Sequence, residues 1–203
     1  MIATSVVSVK EKISESALRD AGKLLREGKL VAMPTETVYG LGVNLENPEA
    51  VRRLYQVKGR PNEKELTLAI ADKSDVEKQR VVVPSATRRL IDHFWPGPLT
   101  ILFRGPQGEK IGMRMPGHPV ARKVIAYAGC PIGLPSANPS GQKPPKSAEE
   151  VLAYFEGEID LILDGGKTAL GTSSTVVDVS EGTLSIVREG AIPRKEIEAV
   201  WQE

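Results

Sequence analysis

The sequence predicts an α/β domain, 1–203, built on one large sheet. Three observations predict it. Segments with a helical apolar period alternate with short apolar runs along most of the chain, as helices laid on a sheet require. With 203 residues, 40% of them hydrophobic, the chain can bury one sizeable core. No repeat, low-complexity stretch or linker divides it.

Residues 14–27 place Ala17, Leu18, Ala21, Leu24 and Leu25 on one helical stripe, with Gly28 positioned to stop it. A strand, LVAM (30–33), runs into the segment MPTETVYGLG (33–42). Asn47 and Pro48 then open a helix with Val51, Leu54 and Tyr55 toward the core, because Asn caps orphan amides and Pro is tolerated in the first turn. That helix ends at KGRP. LTLAIA (66–71) reads as a buried strand, SATRRLIDHFW (85–95) as a helix, and LTILF (99–103) as a strand after the turn signal PGP. A short strand around 112–115 follows, then a helix from His118 and a strand at PIGL (131–134). Ser147 and Glu150 form a capping box for the helix SAEEVLAYF. DLILDGG, STVVDV and TLSIVREG make the last third strand-rich, and a short helix closes the chain.

Lys and Arg total 27 against 26 for Asp and Glu, so overall charge does not announce a nucleic-acid binder. Charge is locally uneven: residues 51–64 carry five bases and one acid, and 149–164 carry six acids and no base. The basic run reads as a solvated face or as one wall of an anion site. Cys130 is the single cysteine, which excludes an intrachain disulfide and a thiolate metal cluster; its setting, AGCPIGL, reads as an inert, buried strand start. With no long apolar segment, the expectation is a cytoplasmic protein without a membrane partner.

Two phosphate-loop patterns are decoys. DGGKT (164–168) lacks the first glycine of a Walker A loop, which would fall at Leu161, and GLG (40–42) has Leu45 where a dinucleotide fingerprint needs glycine. His93 and His118 are too few for a dedicated transition-metal site, and neither accompanies a nucleophile elbow. His118 reads as a helix cap.

What remains is a set of polar residues where strands end: Thr35, Thr37 and Tyr39; Lys58 and Arg60; Arg114; Ser136 and Asn138; Ser173, Ser174 and Thr175; and Arg188. Open α/β sheets bind ligands outside their strand ends, so these segments can converge on one cleft. Cations, hydroxyls and an amide suit a polyphosphate and a small polar partner. They offer no strong general base, so catalysis would rest on positioning and on neutralising phosphate charge.

PTETVYGLG, VKGRP, FWPGPLT, MRMPGHP, PSANPSG and STVVDV, in that order, resemble the YrdC-like family of threonylcarbamoyl-AMP synthases over about residues 15–192. The resemblance implies a twisted, mixed parallel and antiparallel sheet flanked by helices, a deep electropositive cavity, and no additional C-terminal domain in this chain. It implies that L-threonine, bicarbonate and ATP, with Mg²⁺ accompanying the nucleotide, give threonylcarbamoyl-AMP and pyrophosphate. The product would pass to a separate tRNA threonylcarbamoyl transferase, and double-stranded RNA is a possible further partner. Carried over by position, Lys58 and Arg60 are catalytic. Thr37, Arg114, Leu134 and Ser174 meet threonine, and Thr35, Arg60, Lys64, Ser136, Asn138 and Arg188 meet the nucleotide. No metal ligand comes from side chains alone. The strand before Thr35 would deliver hydroxyls to substrate while Gly40 and Gly42 let the backbone turn away. Lys64, Ala69 and Pro144 stand where many members have Asn, His and Ser. The alternative is a paralogue that binds nucleotide or double-stranded RNA without synthase activity.

Overall fold

A computed structural model describes residues 3–11, 14–59 and 65–202. In chain order its strands are β1 (Ser5–Ser8), β2 (Val31–Met33), β3 (Gly40–Asn44), β4 (Leu68–Ala69), β5 (Leu99–Arg104), β6 (Lys110–Arg114), β7 (Ile132–Gly133), β8 (Leu161–Asp164), β9 (Thr175–Asp178) and β10 (Ser185–Arg188). Its helices are α1 (Glu15–Arg26), α2 (Pro48–Lys58), α3 (Asp75–Lys78), α4 (Ser85–Phe94), α5 (Pro119–Ala128), α6 (Ala148–Phe155) and α7 (Arg194–Gln202).

The strands form one mixed sheet in the order β1-β8-β2-β3-β7-β4-β6-β5-β9-β10. β8 lies parallel between β1 and β2, β4 pairs parallel with β6, and β5 pairs parallel with β9. The remaining neighbours run antiparallel. The strand read over 66–71 contracts to Leu68–Ala69, yet its ladder reaches further: Leu134 N–H donates to Thr67 O and Ile70 N–H to Arg114 O. β1, β3 and α3 are additions to the sequence reading.

The helix signals act as expected. Ser14 and Asn47 accept from the amides of Ala17 and Ala50 at the starts of α1 and α2. His118 Nδ1 accepts from Val120 N–H at the start of α5. At α6, Ser147 Oγ accepts from Glu150 N–H, but the Glu150 carboxylate accepts from Lys146 N–H, one residue before the partner of a closed capping box.

Three apolar clusters flank the sheet. Leu18, Ala21 and Leu25 of α1 pack on Val120, Val124 and Ala128 of α5. Leu90 and Ile91 of α4 meet Ile197 and Val200 of α7 over Leu99, Ile101 and Phe103. Leu54 of α2 and Val151 and Phe155 of α6 cover Tyr39, Leu41 and Val43. The two charge runs meet here, through an Arg53–Asp160 ion pair at 2.7 Å, while Arg52 pairs with Glu49. Two of the five bases therefore face neighbouring acids and build no anion wall. Cys130 is half-buried just before β7 rather than fully enclosed, and burial raises its thiol pKa, which keeps it protonated and inert.

Candidate functional site

Strand ends and loops of β2, β3, β4, β5, β6, β7 and β9 enclose a cavity of about 190 Å³. Thr35, Thr37, Arg114, Leu134, Ser136, Ser174 and Arg188 line it, so the structure gathers seven of the predicted site residues from distant segments. Arg60 and Lys64 lie outside the described residues.

The loop 34–39 between β2 and β3 forms the floor, with Thr35 and Thr37 buried. Thr35 Oγ1 donates to Val38 O at 2.6 Å, so its contact with Thr37 Oγ1 at 2.9 Å must be donated by Thr37. Arg114 Nη2 in turn donates to Thr37 Oγ1 at 2.9 Å. The result is a directed chain from guanidinium to backbone carbonyl. Both threonine hydrogens point along it, so what Thr37 offers a ligand here is acceptor capacity and a fixed Arg114, not a free donor.

Gly40 and Gly42 belong to β3 and have no left-handed φ, which corrects the expectation that they turn the backbone away. Their role is closeness. A Cβ on Gly40 would sit 2.7 Å from Leu134 Cγ, and one on Gly42 would sit 3.0 Å from the Met33 methyl. Leu134 can press against the floor only because residue 40 has no side chain.

A bulge aims Arg188. Ile186 pairs with Val177 and Arg188 with Val176, so Val187 is the extra residue. Val177 belongs to the core while Val176 lines the cavity. In a regular strand, residues 186 and 188 would share the core face; the bulge puts Arg188 on the cavity face instead. Its guanidinium donates to Ser174 O at 2.8 Å and Ser174 Oγ at 3.3 Å, and Ser174 Oγ also meets Thr100 Oγ1 at 2.9 Å. Partial desolvation on the cavity side, then the nearby Arg114 cation, lowers the Arg188 pKa although the residue as a whole is exposed, a sign that two like charges face one space.

Lys58 and Asn138 are close by but do not line the cavity. Lys58 is buried, and its ammonium donates to Ser136 O at 2.6 Å and Asn138 O at 2.5 Å. Asn138 Nδ2 donates to Pro139 O and Gln142 O. Together they fix the loop that presents Ser136. Thr175 turns away, donating to Ile192 O and accepting from the amides of Gly190 and Ile192. Pro144 is not among the lining residues, whereas Ala69 is.

Three polar contributors escape the sequence reading as site residues: Thr67 and Thr100, which line the cavity, and Glu36, which pairs with Arg114. Glu36 Oε1 accepts from Arg114 Nη2 at 2.6 Å and its Oε2 from Gly117 N–H at 2.8 Å. Tyr39 spans the cavity edge, accepting from Gly165 N–H and donating to Gly166 O, and burial raises its pKa so that the phenol stays protonated.

Among the described residues no three His, Cys, Asp or Glu side chains group as a metal site, and no helix is long and apolar enough to cross a membrane.

Known proteins resemble this chain over nearly its whole length. A threonylcarbamoyl-AMP synthase of Pyrococcus abyssi is 41% identical over 98% of this chain and 62% of its own length. One from Bacillus subtilis is 40% identical over 96% of this chain and 60% of its own. The crystal structure of P. abyssi Sua5 complexed with L-threonine superposes with a TM-score of 0.91 at 41% identity, covering 96% of this chain and 60% of that one. The chain thus spans about 60% of the length of these relatives. Residues 23–190 match the Sua5/YciO/YrdC model, described as telomere recombination, and the chain belongs to that family.

Proposed function

We propose that this chain is an L-threonylcarbamoyladenylate synthase, using L-threonine, bicarbonate and ATP and releasing pyrophosphate. The observation that carries the reading is the convergence of Arg114 and Arg188 with the hydroxyls of Thr37, Thr100, Ser136 and Ser174 on one cavity. Its enclosed volume is below the roughly 300–1,000 Å³ of pockets that engulf a drug-sized ligand. It suits an amino acid, with the nucleotide at the mouth, where Ser136 and Ser173 are half-buried and Arg188 is exposed.

In this reading the neutral threonine amine attacks the bicarbonate carbon and water leaves, which gives a carbamate. A carbamate oxygen attacks the α-phosphorus of ATP, and pyrophosphate leaves. This chain's residues hold two anions together: Arg114 takes the amino-acid carboxylate and Arg188 the nucleotide side. Lys58 acts by holding the Ser136 loop, and Arg60 and Lys64 add charge from the segment following α2. Mg²⁺ enters on the triphosphate as part of the substrate, since the described residues offer it no carboxylate cage. The product would feed tRNA modification in the cytoplasm through a separate transferase.

Pyrophosphate release should require ATP, bicarbonate and threonine together. Equal release without threonine refutes the reading. Ala69 favours keeping a second one, a paralogue that binds nucleotide or double-stranded RNA without the adenylation step, because its methyl group gives the cavity wall no polar handle. That alternative predicts nucleotide binding with no threonine-dependent release.

A further inference from the structure

We propose that Glu36 is a positioning residue that aims Arg114 at the carboxylate of the amino acid, an inference that rests on the synthase reading. Arg114 is tied on two sides. Nε donates to Gly97 O at 3.2 Å, and Nη2 donates to both Glu36 Oε1 at 2.6 Å and Thr37 Oγ1 at 2.9 Å. Nη1 makes no hydrogen bond among the described residues, and Arg114 lines the cavity. The guanidinium is planar, so fixing Nε and Nη2 also fixes the direction of Nη1.

The second Glu36 oxygen accepts from Gly117 N–H at 2.8 Å, and the Glu36 carbonyl accepts from Leu170 N–H at 2.9 Å. Gly117 thus holds the carboxylate while Leu170 holds the main chain that carries it, so Glu36 resists following Arg114 if the arginine swings. The pair is largely enclosed, with Arg114 and Glu36 side chains 14% and 16% exposed. Arg188 lies close enough to repel Arg114, and Glu36 supplies Arg114 with an opposing counter-charge. A cation so held keeps its unused donors ready for an incoming anion, which lowers the ordering needed on binding.

The test compares L-threonine with L-threoninol, which keeps the amine and both carbons of the side chain but lacks the carboxylate. Calorimetric titration of the wild type should show threonine binding more tightly than threoninol. Glu36→Ala should weaken threonine roughly 10- to 100-fold while leaving threoninol unchanged, the range expected when an orienting partner is lost. Glu36→Gln retains an acceptor for Arg114 and should fall between, with the KM for threonine raised and the KM for MgATP unmoved. Combined with Arg114→Ala, either Glu36 change should add little. Equal weakening of both ligands, or additive effects with Arg114→Ala, overturns the proposal, because a merely structural Glu36 has no reason to distinguish a carboxylate. Should Glu36→Ala not fold, Glu36→Gln with the same two ligands decides the matter. A wild type that binds neither ligand overturns the synthase reading itself, and this inference with it.

Discussion

Gly40 shows how one absent atom shapes the site. Its position against Leu134 leaves no room for a Cβ, and Leu134 forms part of the wall of a cavity of only about 190 Å³. Gly40→Ala should push Leu134 inward, costing about 1–3 kcal/mol in denaturant unfolding and raising the KM for threonine more than that for ATP. An unchanged threonine KM would contradict this account of the wall. Arg114, Ser136, Ser174 and Arg188 are legible in the sequence because polar residues at the ends of apolar runs break the pattern around them. Glu36 is not, since a glutamate in a loop reads as solvated until its two oxygens are seen on Arg114 and Gly117. Thr67 and Thr100 are hidden for another reason: threonine also suits strands, and Thr100 stands within β5 and Thr67 immediately before β4.

At the scale of elements, His118 joins a cap to a titration. It starts α5, and burial lowers its pKa below the ordinary 6.5, with Glu36 opposing and Arg122 reinforcing the shift. As pH falls below about 6.5 the unfolded chain takes up a proton that the folded one refuses, so stability declines through that window and levels off below the folded pKa. His118→Asn keeps a side-chain acceptor for the cap and should flatten this part of the profile, measured by urea unfolding between about pH 7.5 and 5.5. The same slope in the variant would assign it to other groups. Helices with strong stripes and caps were readable within a residue or two. β1 has four residues, too short for a period to declare itself, β4 is legible but shorter than its apolar run, and β3 opens with Gly-Leu-Gly, which imitates a turn. The Val187 bulge that redirects Arg188 has no marker in Ser-Ile-Val-Arg, because a bulge is set by pairing with β9 rather than by local propensity.

For the whole molecule, alternating patterns make the α/β class legible, while the order of the sheet is not. β8 enters between β1 and β2, and β7 between β3 and β4, so neighbours in space are far apart in the chain and no local signal records their meeting. That same non-local order carries Thr37, Arg114, Ser174 and Arg188 to one hollow. The central claim is that this hollow joins an amino acid, through a one-carbon bridge, to the α-phosphate of ATP. Mass spectrometry of a reaction containing ¹³C-bicarbonate, threonine and MgATP tests it most directly. The account predicts an AMP adduct that contains threonine and a single labelled carbon; an adduct in which threonine is joined to AMP without that carbon, or AMP with no adduct at all, would contradict it.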